Sequence, residues 1–130
     1  MKDINYDSSF IPEGGPSHAT FNTLTVAAGV QWHNPYNAAG ANEQIIVGGI
    51  SPAGSVGTAG GWVQGGGHGI FSPQFRIGMD NAVQFTIITS FGLHLTANAY
   101  SYLDFFWVFI VHGPIWSVKA HSSFSLTAYM

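Results

Sequence analysis

The sequence predicts an α+β fold. Three observations lead there: several short β-rich runs, two short stretches with helix start and stop signals, and a turn joining two consecutive runs as a hairpin, which makes their pairing antiparallel. At 130 residues the chain has the size of one domain.

Phe21 to Ala28 reads as a strand, and Gln31 to Ala39 as a short helix, provided that Pro35 lies in its first turn. Gln44 to Val47 reads as another strand. From Gly48 to Gly69, ten of 22 residues are glycine, and Pro52, Trp62 and His68 interrupt the rest. No helix or strand period survives there, so the segment is expected to be a structured glycine-rich loop or a linker. Val83 to Thr89 is β-rich, Ser90-Phe91-Gly92 turns the chain, and Leu93 to Asn98 returns. Asp104 can cap a helix over Phe105 to Ile110, which Gly113 and Pro114 stop. Ile115 to Tyr129 is expected to supply a last, broken strand.

Only nine residues are Lys, Arg, Asp or Glu, 7% of the chain, against about 25% in an average globular domain. Such a surface must be covered largely by small polar and apolar groups, which points to self-association or to a protein partner. Lys2, Arg76 and Lys119 are the only permanent cations. They form no basic stripe that could neutralise phosphates, which argues against nucleic acid as a partner. The absence of cysteine excludes a disulfide framework, a thiolate metal site and a cysteine nucleophile. Residues 1–10 are polar and mixed in charge, unlike a secretory signal. The longest apolar run, Phe105 to Val111, is seven residues, well short of the roughly 20 that span a bilayer. The compartment stays open.

The cluster from Val56 to Gly69 poses the functional question, because glycine lets backbone N–H groups approach a ligand that side chains would obstruct. Phosphate is the obvious guest, yet the cluster lacks the Lys-Ser/Thr ending of a P-loop and matches G-x-G-x-x-G poorly. On spacing alone, tight turns and close packing with no ligand are the expected explanation.

Longer motifs carry more information. Gly49-Ile50-Ser51-Pro52 through Gly69, followed by Phe71-Ser72-Pro73-Gln74-Phe75-Arg76-Ile77-Gly78-Met79-Asp80-Asn81, resembles the fungal FAD-linked oxidoreductases of the vanillyl-alcohol-oxidase and berberine-bridge-enzyme type. Val26-Ala27-Ala28-Gly29-Val30-Gln31-Trp32 is similar to that family's G-x-G-V-x-W element, and Asn98 with Asp104-Phe105-Phe106-Trp107 to its N-x-x-x-x-x-D-L-F-W-A. Nearly the whole chain is covered.

The resemblance implies that residues 1–130 are part of a PCMH-type FAD-binding domain, its second subdomain, a mostly antiparallel sheet flanked by helices. FAD would lie between this subdomain and a first one outside the chain. It also implies cofactor contacts from Ser51, Val56, Gly57, Gly60, Gly61, Gly65, Gly66, Gly67, His68 and Val118, and a small-molecule substrate only once a substrate domain completes the site. The histidine that often tethers the flavin falls before Met1, and Ser51 stands where some relatives place a tethering cysteine. No catalytic residue and no metal ligand carry over. Val108 to Val118 departs from the family's arginine and glycine run, losing three glycines and the arginine, which places activity of this chain alone in question. The reading from another class is a non-catalytic interaction module, or the partner of a separately encoded remainder of the enzyme.

His18, His33, His94 and His121 have no metal-site spacing and are expected to be structural, whereas the resemblance puts His68 on the flavin side. His112 replaces a family glycine, so no role carries over to it. Trp32, Trp62, Trp107 and Trp116 are expected to be packing residues. Asp80-Asn81 is expected to make a turn and to satisfy local backbone donors.

Overall fold

The computed structural model describes residues 3–50, 56–89, 91–112 and 119–129. Six strands form one sheet: β1 (Ile4–Phe10), β2 (Phe21–Ala27), β3 (Ile45–Ile46), β4 (Ala82–Ile88), β5 (His94–Asn98) and β6 (Lys119–Tyr129). Their order is β1-β2-β6-β4-β5, with β3 also on β6, and every pairing is antiparallel. Three helices join them: α1 (His33–Ala41), α2 (Ser72–Phe75) and α3 (Leu103–His112). The expected α+β class, a mostly antiparallel sheet with helices, is the one the chain adopts.

Register sorts the side chains by face. One row across five strands is apolar: Ile4, Val26, Phe124, Phe85 and Ala97 are successive partners. The next row is polar: Asn5, Thr25, Ser125, Gln84 and Asn98. Neighbours in a strand point to opposite sides, so the apolar row builds a core. Leu24, Val26, Phe85, Leu126 and Ala97 are buried there, with Trp32, Ala39, Val63 and Phe106 brought in from the connections. On the polar row the Thr25 and Ser125 hydroxyls bond to each other at 2.8 Å.

Several expectations are corrected. The first ten residues, to which the sequence assigns no element, contain β1, because pairing with Thr23 to Val26 outweighs their polar composition. The glycine-rich segment holds a π-helical turn, Thr58–Trp62, and the stretch after it holds α2 and a 3-10 turn, Gly78–Asn81. Asp104 lies within the first turn of α3 instead of capping it. Ile115 to Val118 lie outside the described residues, and from Lys119 to Tyr129 the last strand is continuous, held between β2 and β4 over Ser123 to Leu126. Pro35 sits in the first turn of α1, as its lost donor requires, and that helix runs two residues beyond the predicted end. Trp107, expected in packing, is 53% exposed. Gly113, Pro114 and Trp116 lie outside the described residues.

Candidate functional site

The glycine-rich segment is fastened to the turn after β2. Thr58 N donates to Val30 O at 2.9 Å and Trp32 N to Val56 O at 3.2 Å, and Gln31 bridges Gly57. The π-helical turn then closes with Trp62 N donating to Gly57 O and Val63 N to Thr58 O. Such wide turns are uncommon and are often found at functional sites.

Trp62, at the end of that turn, gathers the surrounding backbone. A Cβ built on Gly49 would lie 2.9 Å from its Cδ1, one on Gly67 2.9 Å from its Cζ3, and one on Gly78 2.2 Å from the same atom. Three backbone segments thus press on one indole at distances that leave no room for any other residue type. The indole Nε1 donates to His68 O at 3.1 Å, and Trp32 meets the ring edge-on with centroids 4.8 Å apart. Trp32 in turn stacks on Tyr36 at 5.4 Å, whose hydroxyl donates to Gly49 O at 2.7 Å. Burial pushes the Tyr36 hydroxyl up to about 12.

Gly57, Gly61 and Gly66 differ from these, since a Cβ on any of them would meet nothing within 4 Å. Gly66, at φ +97°, also holds a conformation that side chains disfavour. Their backbone is therefore approachable from outside, and a flat or phosphorylated ligand could contact it directly. Next to Gly57, the Thr58 hydroxyl is buried without a hydrogen-bond partner. The residues present thus fit a ligand held by main-chain contacts.

The fold brings Val56, Gly57, Gly60, Gly61, Gly65, Gly66, Gly67 and His68 into one segment. Within it Gly67 is spoken for by packing, with its Cβ position 2.9 Å from the Gly78 Cα. The imidazole of His68 belongs to an exposed residue, while its carbonyl anchors Trp62. Ser51 and Val118 lie outside the described residues. His33 opens α1 and His94 opens β5, and among the described residues no three His, Asp or Glu cluster as metal ligands would.

Asn81, expected to satisfy backbone donors, does the reverse. Its Nδ2 donates to Phe75 O at 2.9 Å and to Ile77 O at 2.8 Å, and its Oδ1 accepts from the Tyr129 hydroxyl. Two carbonyls flanking Arg76 are thereby pinned, and Phe75 stacks on Tyr129 at 4.2 Å. Burial raises the Tyr129 hydroxyl, against the opposing charge of Arg76. Neither this hub nor the Trp62 enclosure is evident from sequence reasoning. The available signal is the spacing of glycines 49, 67, 69 and 78 around one tryptophan.

Known proteins place this arrangement. The chain is 38% identical over 107 residues to the FAD-linked oxidoreductase ffsJ of Aspergillus flavipes, covering 82% of the chain and 17% of that protein. It is 34% identical over 137 residues to the FAD-linked oxidoreductase patO of Aspergillus clavatus, covering 98% and 22%. Its fold matches a VAO-type flavoprotein of Myceliophthora thermophila with a TM-score of 0.86 at 28% identity, over 98% of this chain and 22% of that one. The chain is a homologue of the fungal FAD-linked oxidoreductases of the vanillyl-alcohol-oxidase and berberine-bridge-enzyme type. It spans about a fifth of the length of the curated relatives it matches. No protein-family model matches the sequence. Berberine bridge enzyme, at 23% identity and a TM-score of 0.74, shares the fold. The glycine-rich segment is homologous to part of these proteins and carries open backbone at Gly57, Gly61 and Gly66.

Proposed function

We propose that this chain supplies one wall of the FAD site of an oxidoreductase acting on a small molecule in fungal secondary metabolism. Residues 1–130 correspond in this reading to part of a PCMH-type FAD-binding domain, and turnover requires a first subdomain and a substrate domain in addition. The observation that carries it is the open backbone at Gly57, Gly61 and Gly66, in a segment homologous to FAD-linked oxidoreductases.

Bound FAD supplies two-electron redox chemistry, accepting hydride from a substrate. The chain's own residues do two things. Gly57, Gly60, Gly61, Gly65 and Gly66 offer main-chain contacts, with Ser51, Val56 and Val118 as further contacts. The Trp62 enclosure holds that backbone rigid, keeping Gly67 and His68 beside the site. Arg76 is exposed, and the glycines have no side chains, so the contacts that they offer are backbone dipoles.

Quenching of flavin fluorescence on titration with the purified chain tests the reading. The chain alone binds more weakly than a Kd of about 1 μM, roughly −8 kcal/mol, because only one wall is present. Gly61→Val abolishes the residual binding and Lys119→Gln leaves it unchanged. Equal losses from both variants would show the binding to be nonspecific and sink the assignment.

A further inference from the structure

A second concavity lies where the loop after β1, the start of β4 and the link from β5 to α3 converge. It holds about 180 Å³, and its walls include Pro12, Phe21, Asp80, Tyr100, Phe106 and Thr127. None of residues 56–69 lines it, so it is separate from the glycine-rich wall and independent of the flavin reading.

Its walls are braced by buried amides. The Asn98 side chain is fully buried. Its Nδ2 donates to Glu13 O and to Gln84 Oε1, each at 3.0 Å, and its Oδ1 accepts from Tyr100 N at 2.7 Å and Ser101 N at 2.8 Å. Gln84 Oε1 also accepts from Glu13 N at 2.8 Å. This network ties the loop bearing Pro12 to the backbone of Tyr100. The Tyr100 ring is placed as well, since a Cβ on Gly15 would lie 3.1 Å from its Cδ2. On the opposite wall the Thr127 hydroxyl donates to Asn81 O at 3.2 Å. Its lone pairs remain free to accept. A cavity held in this way loses little entropy when filled.

The wall chemistry selects by charge. Among the described residues, three aromatics line a space with one acid, Asp80, and no Lys, Arg or His. Aromatic faces attract cations, and a carboxylate pairs with an ammonium. The volume suits a single ring, since a cavity of about 150 Å³ accommodates benzene. We propose that this cavity binds a small one-ring organic ammonium, its aromatic part among Phe21, Tyr100 and Phe106 and its charge toward Asp80.

Amide chemical shifts of the 130-residue chain, titrated with benzylammonium chloride, benzyl alcohol and sodium benzoate, test this. Benzylammonium is expected to shift Asp80, Tyr100, Ser101 and Thr127 and to bind at least about 5-fold more tightly than the isosteric alcohol, with benzoate weaker than both. Asp80→Asn, an exposed change that leaves the spectrum dispersed, should remove that 5-fold preference. Tyr100→Leu should weaken benzylammonium by about 3-fold or more. Equal affinity for amine and alcohol, an undiminished preference in Asp80→Asn, shifts confined to residues outside the cavity, or no saturation by about 10 mM would each overturn the proposal. Flavin binding plays no part in these readouts, so failure of either reading leaves the other standing.

Discussion

Gly78 lies against the six-membered ring of Trp62 so closely that a Cβ there would fall 2.2 Å from the indole Cζ3 and 2.7 Å from Cη2. The indole is fixed by its bond to His68 O and by Trp32, so it cannot swing aside. Gly78→Ala should therefore destabilise the chain by about 1–3 kcal/mol, the usual cost of overpacking, read as a lower thermal midpoint. Gly40→Ala is the control. It lies in α1 with nothing within 4 Å of its Cβ position, and should stabilise by about 0.5–1 kcal/mol.

Arg76 sits at φ +66°, ψ −173°, a region essentially reserved for glycine that costs other residues about 1–3 kcal/mol. Asn81 maintains it by pinning Phe75 O and Ile77 O on either side. Arg76→Gly should raise the thermal midpoint, because the strain relieved exceeds the loss of about 0.4–1 kcal/mol through a looser unfolded chain. Arg76→Ala, which keeps the strain, should not.

Truncating Asn98 removes four hydrogen bonds from a fully buried position. Each is worth about 1 kcal/mol net, and stranded partners cost more. Asn98→Ala should lower stability by about 3–5 kcal/mol. Hydrogen exchange should show the loss first at the Tyr100 and Ser101 amides.

The Tyr36 hydroxyl, pushed up to about 12 by burial, holds its proton more tightly in the folded chain than at its ordinary value near 10. Its contribution to stability is thus complete below pH 10 and is lost as pH rises from 10 to 12. Tyr36→Phe should flatten that alkaline limb in denaturant titrations. The wild-type phenolate absorbance should rise later than that of free tyrosine. The residue is 38% exposed, so the effect should be smaller than a fully buried group would give.

Leu103, Phe105 and Trp107 at the start of α3 all expose large apolar side chains, and Phe91 is 91% exposed. A chain with nine charged residues has few groups to keep such surfaces apart. Light scattering should show concentration-dependent association, reduced by Trp107→Lys. A wild-type chain that stays monomeric at about 100 μM would count against a partner-binding role for this surface.

The class of fold, the hairpin of β4 and β5, helix α1 and the family were legible in the chain itself. Those features rest on local propensity, turn residues and motifs whose meaning survives without coordinates. Val83 to Thr89 is β-rich wherever it is placed, and Pro35 permits only an early position in a helix. The glycine motifs likewise point to a flavoprotein before any contact is known. Long-range pairing settled the rest. β1 is too polar to announce itself and becomes a strand because β2 offers it an unpaired edge. β6 is held between β2 and β4 over Ser123 to Leu126. Glycines that look alike in sequence part company in space: Gly49, Gly67 and Gly78 are required by one indole, whereas Gly57, Gly61 and Gly66 face open surroundings. No spacing rule separates those two groups, because the room that a missing side chain leaves is filled by whichever distant residue the fold brings against it.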